Sequence, residues 1–372
     1  MKRRILITGG AGFIGSHLAR ELIRSGHQVR VLDNLSPQVH GPDKARPSYL
    51  SRDVELIVGD VRDPNAVKNA LSRIEIVYHL VAAVGVGQSM YQIAEYTSVN
   101  NLGTAVLLQA ITEHPVERLV VASSMSVYGE GLYRTSKGSF CMKAERSMDQ
   151  LRQGQWEPLD PDGEPMKPVA TPEDKTPDLQ SIYALSKFDQ ERQFILVGRA
   201  YNIPATALRL FNTYGPDQAL SNPYTGVLSN FAARILNGGA PLIFEDGRQI
   251  RDFVSVHDVA RAFRLVLEHP ESAGKVINIG GGRSYSVSDV AARTIAAMDR
   301  KDMRPEITGK YRSGDIRHCF GDITLAKKLL GYEPQVSLDQ GISELSEWLQ
   351  SQHAIDRGLE ARAELSARGL MV

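Results

Sequence analysis

The segment that most restricts this chain is its start, where RILITGGAGFIGSHL joins an apolar run to a helix-forming one through four glycines in seven residues. A strand that turns this sharply into a helix needs positions without a Cβ. Gly9 suits the tight turn, Gly12 the close approach of a ligand to backbone, and Gly15 the packing of helix on strand. Phe13 and Ile14 open the helix, whose first N–H groups would face an anion. The second apolar run ends at Asp33, about 20 residues on, where a carboxylate accepts from ribose hydroxyls. The combination implies a dinucleotide. Because Asp33 would repel a 2′-phosphate and Asn34 rather than an arginine follows it, the expected cofactor is NAD and not NADP.

Further β-branched runs alternate with segments of helical period, the pattern of parallel strands joined by helical crossovers. The spacing predicts strands over Arg4–Thr8, Gln28–Asp33, Val54–Val58, Ile76–Leu80, Arg118–Ser123 and Ala205–Leu210. Helices are predicted near Phe13–Ser25, Asn65–Ser72, Tyr91–Glu113 and Ile182–Tyr201. The fold class is therefore α/β, a Rossmann-type doubly wound parallel sheet. In such a sheet Gly59-Asp60-Val61 closes the third strand, where Asp60 is expected to accept from the adenine amino group and Val61 to lie against the ring; Leu80 joins the same cofactor-binding set.

Residues 130–180 interrupt the rhythm with Pro, Gly and charge and show no sustained period. They read as a long insertion in extended or turn conformation, of the kind that serves as a lid or stays disordered. The sheet is expected to be rejoined at Phe253–Glu268 and Val276–Ile279. Residues 1–211, with 253–281 returning to them, form the expected NAD-binding unit; 212–252 and 282–352 form a smaller substrate-binding lobe; 353–372 read as a mostly polar, helix-prone tail, a solvated terminal helix.

Lys+Arg and Asp+Glu both number 43, so no basic excess points to nucleic acid or a membrane as partner. Cys141 and Cys319 are too few and too far apart for a disulfide framework or a zinc site, and no metal is expected. The opening MKRRILITGG places basic residues before an apolar run as a signal peptide does, but glycines break the run and no small-residue cleavage site follows. The expectation is a cytoplasmic protein.

Tyr183 and Lys187, in YALSK, lie one helical turn apart and share a face. A phenol is a poor base near neutrality, its ordinary pKa being about 10, and a neighbouring ammonium favours the phenolate. Lys187 can also hold the nicotinamide ribose. The fifth strand ends in SSMSVYG, and ligands of parallel sheets sit outside the carboxyl ends of the strands. Ser124 is thereby expected to hydrogen-bond a reacting hydroxyl and orient its proton toward Tyr183.

Taken together, GGAGFIG, Asp33, Gly59-Asp60-Val61, ASSMSVYG, YALSK and RLFNTYGP resemble an extended short-chain dehydrogenase/reductase of the nucleotide-sugar epimerase/dehydratase family. The resemblance runs over nearly the whole chain. It implies Ser124, Tyr183 and Lys187 as catalytic residues, a nucleotide-diphosphate sugar as substrate, and a homodimer packed through the helices containing Tyr91–Glu113 and Ile182–Tyr201. On the substrate side it implies Ser124 and Met125, Asn212 at the diphosphate, Arg251 and Arg312 with Asp315 as diphosphate and ribose clamps, and Phe244 as a wall against the base.

Sugar 4,6-dehydratases of this family place an Asp-Glu pair after the catalytic hydroxyl; here Met125 and Ser126 stand there, which argues against dehydration. C4 epimerisation through a transient 4-keto sugar fits the remaining residues. Val84 occupies a place where UDP-galactose 4-epimerases carry lysine, and VGVGQSMY, EDKTPDLQSIYALSK and QALSNPYTGVL look like the branch acting on a dTDP-bound 6-deoxyhexose of the L-rhamnose type. A UDP-hexose or UDP-hexuronate 4-epimerase, a nucleotide-sugar 4-reductase and a non-catalytic dinucleotide-binding regulator remain as alternative readings.

Overall fold

The computed structural model describes residues 2–371 other than Thr225 and Ser313. Its centre is a seven-stranded parallel sheet in the order Val276–Ile279, Ala205–Leu210, Arg118–Ser124, Ile76–His79, Arg4–Thr8, Gln28–Asp33, Glu55–Val58. Successive side chains of a strand point to opposite faces. Accordingly Ile5, Ile7, Val29 and Val31 join one apolar cluster, which takes in Leu18, Val259 and Phe263 from covering helices. Leu6, Leu32 and Val77 join the other, with Val67, Leu107 and Phe194. Both faces are thus covered, which is why these strands read as almost continuously apolar.

The strand order reverses between Arg4–Thr8 and Ile76–His79, whose ends pair Thr8 with His79. That is the switch point at which a doubly wound sheet opens a crevice for ligand. The helices Phe13–Arg24 and Ile182–Tyr201 form over residues their apolar periodicity assigns to them, the second capped by Ser181, whose side chain accepts from the Ala184 N–H.

Four sequence expectations change. The helix read over Tyr91–Glu113 divides into Ile93–Tyr96, a π-helical stretch Thr97–Leu102 and Gly103–Glu113. The wider turn carries Asn100 inward, fully buried, where it bonds Ala83 and Ser186. Ile250–Ser255 lies outside the central sheet, pairing with Asn212–Tyr214, Ser284–Ser286 and His318–Cys319; of the expected return only Val276–Ile279 adds a strand.

The insertion is not structureless. Leu132–Arg134 pairs antiparallel with Phe140–Cys141 and Lys167–Val169, and Met148–Arg152 is a short helix. The insertion has a small core of Tyr133, Ala144 and Met166, and ion pairs tie it to the rest of the protein: Arg317, wholly buried, pairs with Glu157 of the insertion at 2.5 Å and with Glu245 at 2.9 Å, while Arg146 of the insertion reaches Glu245 at 2.7 Å. Finally, the tail forms the expected helix, Gly358–Ala367, but this helix packs back on the protein through Leu365, with Met371 also buried. No helix among the described residues is long and apolar enough to cross a membrane.

Candidate active site

The glycine turn emerges at the switch point. Gly9 has φ +70°, and its N–H donates to the Leu32 carbonyl at 2.8 Å; a Cβ there would come within 2.8 Å of the Val81 nitrogen. At Gly15 a Cβ would lie 2.5 Å from both the Gly10 Cα and the Gly9 oxygen, so helix and strand touch backbone to backbone. Gly12 differs: a Cβ would meet only the Gly9 oxygen, at 3.4 Å, and no side chain caps the helix it begins. The turn is therefore crowded on its protein side and open at Gly12, which fits a pyrophosphate held by helix N–H groups.

Asp33 is 8 % exposed. Its carboxylate accepts from the Ala11 and Leu35 N–H groups, each at 3.0 Å, with the His40 ring 3.8 Å away. Burial pushes its pKa up and the backbone N–H bonds oppose this. Asp33 thus braces the turn as well as bordering the crevice. Asn34 donates to Asp60 at 3.2 Å, and Arg62 grips both Asp60 oxygens at 2.8 and 2.9 Å, holding that carboxyl at about 2. Val61 is 3 % exposed and committed to the core with Leu32 and Val67, so it offers an adenine ring little more than an edge. Tyr49, whose hydroxyl donates to the Ala11 carbonyl at 3.1 Å, and His40 also border the turn; no local pattern announces either.

Ser124 ends the strand Arg118–Ser124, and Tyr183 and Lys187 stand on the helix Ile182–Tyr201 that packs against it. The Ser124 Oγ accepts from the Ser126 N–H at 3.1 Å and from the Ser126 hydroxyl at 2.9 Å. That leaves its own hydrogen free for the neighbouring Tyr183 hydroxyl, whose pKa the Ser124 side chain lowers. Ser124 thus caps its own turn and meets the phenol. The Tyr183 backbone is pinned as its N–H donates to the Ser89 Oγ at 3.0 Å, and Tyr96 lies edge-on to its ring.

Burial raises the Tyr183 pKa and the bond from Ser124 is what opposes it. Lys187 is 3 % exposed and donates to the Gln190 Oε1 at 2.6 Å. Burial brings its ammonium down to about 7, against the charge of Glu191. In this fold the lysine is therefore held by a carboxamide. Gln190 also bonds Thr104 at 2.9 Å and the Val81 carbonyl at 3.2 Å, and it meets His79, which is wholly buried. Burial, then the Lys187 charge, holds His79 down at about 3.

On the substrate side, the buried Asn212 Oδ1 has no protein partner, as expected of an atom that waits for a ligand. Met125 is 8 % exposed and packs with Tyr128 and Phe211. Arg312 clasps Asp315 at 2.8 Å and lies over the Phe244 ring at 4.7 Å. Burial pushes Asp315 up, but Arg312 and Arg251 outweigh it and hold the carboxyl below its usual value. Arg251 departs from the clamp expected of it. Its guanidinium donates to the carbonyls of Ile250, Ile316 and Arg317 and stands 3.9 Å from Asp315, so its donors serve the chain that carries Asp315. Two surface cavities of about 520 and 530 Å³ lie elsewhere, one lined by Arg4, His27 and Arg30 at the opposite ends of the strands, the other by Tyr285 and Phe320. Neither holds these groups.

A model of the family described as "NAD dependent epimerase/dehydratase family" matches residues 5–151 and 156–280. The chain belongs to that family. NAD is accordingly its cofactor, in keeping with the open glycine turn. This family member is 38 % identical over 352 residues to a dTDP-L-rhamnose 4-epimerase of Burkholderia thailandensis, covering 93 % of the chain and 95 % of that protein. It is similar to the UDP-glucose 4-epimerase of Thermotoga maritima solved with UDP-glucose (TM-score 0.75, 30 % identity, 93 % and 98 % covered). A UDP-glucuronic acid 4-epimerase of Bacillus cereus with UDP-glucuronic acid and NAD superposes with TM-score 0.76 at 26 % identity, 94 % and 100 % covered.

Proposed function

We infer that the protein is an NAD-dependent nucleotide-diphosphate-sugar 4-epimerase whose substrate is a dTDP-bound 6-deoxyhexose of the L-rhamnose type. The observation that carries the reaction type is the bond from the Ser126 hydroxyl to Ser124 at the strand end where Ser124 neighbours the Tyr183 phenol and lowers its pKa. The substrate assignment is supported by the relative at 38 % identity, which acts on dTDP-L-rhamnose by its name.

Gly9, Gly12, Phe13, Ile14 and Gly15 would hold the pyrophosphate side of NAD, Asp33, Asn34, Asp60, Val61 and Leu80 the adenosine side, and Lys187 the nicotinamide ribose. Bound NAD would supply the acceptor and donor of hydride for C4 of the sugar. Tyr183 withdraws the proton of the 4-hydroxyl and later restores it, while Ser124 holds the same oxygen. Each hydrogen bond to the phenol oxygen that favours the charged form lowers its pKa, so the Ser126-Ser124 chain tunes the base. Asn212, Arg312 with Asp315, and Phe244 bind the nucleotide diphosphate, with Met125 an apolar neighbour of the sugar.

Residues 1–211 with 253–281 act as the cofactor unit and 212–252 with 282–352 as the substrate lobe. The protein works as a cytoplasmic homodimer. Leu102 at 53 % exposed, Leu185 at 48 % and Leu196 at 53 % on the two helical segments support that pairing, since large apolar side chains grouped on a surface favour an interface.

The test is to follow C4 by NMR with dTDP-L-rhamnose, UDP-galactose and UDP-glucuronate in ordinary and deuterated water. Inversion of dTDP-L-rhamnose at C4 without solvent deuterium is expected. Solvent label at C3 or C5, or stoichiometric consumption of NADH, would replace this reading with enolisation or reduction.

A further inference from the structure

The C-terminal segment does not trail into solvent. The Ala354 carbonyl accepts from Asn237 at 2.9 Å, the Ile355 N–H donates to Ser221 at 3.0 Å, and Asp356 pairs with Arg234 at 2.9 Å. From that anchorage on the smaller lobe the helix Gly358–Ala367 crosses to the cofactor side. There Leu365 packs on Gly87, whose absent Cβ would lie 3.3 Å from it, and Arg368 lies over Tyr91 at 4.4 Å. The chain then returns, and Met371 bridges Arg312. The segment therefore touches both banks of the candidate crevice.

The charges there are unequal in what they can still bind. Arg251 is spent on three backbone carbonyls and Arg368 on Glu364 at 2.8 Å, while Arg312 gives its Nε and Nη2 to Asp315 and can offer a ligand only what remains. Arg362 lies over the Phe244 ring at 5.7 Å, the same ring that Arg312 covers at 4.7 Å. Among the described residues it has no carboxylate partner and no hydrogen bond. A half-buried guanidinium with all its donors free, beside an aromatic wall, suits a phosphate, whose oxygens match its fork. We propose that the C-terminal segment is a wall of the nucleotide-sugar site and that Arg362 binds the diphosphate of the substrate. This rests on the nucleotide-diphosphate reading above and adds to it a residue more than 45 positions beyond the other proposed substrate residues.

The experiment compares full-length wild type, Arg362→Ala, Arg362→Lys and, as a control of equal charge change on the same segment, Arg357→Ala. Titration with dTDP and with UDP is expected to show a Kd about tenfold higher for Arg362→Ala, partly restored by lysine and unchanged in Arg357→Ala, with NAD content kept within about twofold. Hydrogen exchange of Gly358–Ala367 is expected to slow when either diphosphate binds. Unchanged diphosphate affinity in folded Arg362→Ala, or unaltered exchange in that helix, overturns the proposal. Failure of the wild type to bind either diphosphate instead overturns the reading on which it rests.

Discussion

The Nζ of Lys187 donates to the Oε1 of Gln190 at 2.6 Å, in a pocket where the lysine is 3 % exposed. Burial has already brought the ammonium down to about 7. Gln190→Leu removes the acceptor, so the ammonium loses stabilisation and its pKa falls further; Gln190→Glu places a negative charge there and raises it. With the protonated lysine as the active form, the alkaline limb of kcat/KM moves to lower pH in the leucine variant and to higher pH in the glutamate variant. Limbs that stay together in both would remove Gln190 from the setting of Lys187.

The three hydroxyls should separate by size of effect. Tyr183→Phe is expected to keep its NAD and lose about 10³-fold in turnover, the general-base contribution. Ser126→Ala removes one bond to the Ser124 oxygen and is expected to cost up to about tenfold, in line with a single hydrogen bond of ~1 kcal/mol. Ser124→Ala should fall between them and shift the acidic limb upward, because the phenol loses the bond that lowers its pKa. A Ser126→Ala variant slower than Ser124→Ala would disprove this ordering.

Why some of this could be read from sequence and some not follows from where each residue's partners lie. Arg4–Thr8 and Gln28–Asp33 are recognisable because both faces are apolar, and Gly15 because its turn is local. Gln190 is not: its partners His79 and Thr104 are 111 and 86 positions away, and nothing in YALSKFDQE distinguishes it from a surface side chain. Arg251 reads as a free clamp because the carbonyls that occupy it belong to Ile316 and Arg317. The insertion reads as loop because its strands are only two or three residues long, too short to show a period, and its ion pairs reach Glu245 and Arg317 far along the chain.

The two glycines of the turn predict opposite behaviour. Gly12→Ala meets nothing closer than 3.4 Å, so its thermal midpoint without cofactor should match wild type while bound NAD drops at least tenfold. Gly15→Ala forces a Cβ to within 2.5 Å of backbone, which costs about 1–3 kcal/mol of overpacking. Its midpoint should fall along with its NAD. Thermal unfolding of stripped protein and release of nucleotide on denaturation measure the two quantities separately. Equal midpoints for the two variants would contradict the assignment of crowding to Gly15.

The last expectation concerns pH and stability, and it turns on Asp252. This residue is 1 % exposed; its Oδ1 accepts from the Gly281 N–H at 2.6 Å, and its Oδ2 has no partner and lies where a Gly280 Cβ would be only 2.3 Å away. Burial raises its pKa from 3.8 to about 7, against backbone N–H groups of Gly281, Gly321 and Gly282. A folded-state pKa above the unfolded one means that the native state holds the proton more tightly, so this group's contribution is full below about pH 4 and is lost as pH rises through about 7. Asp252→Asn keeps the shape and an oxygen for Gly281 but cannot ionise. The difference in unfolding free energy, variant minus wild type, should therefore increase from pH 4 to pH 7 and level off above it. Taking the difference cancels the other carboxylates, which titrate in both proteins. A difference that stays flat over that range would show that Asp252 is ionised in the native protein at acid pH, with its buried Oδ2 stabilised by something other than a proton.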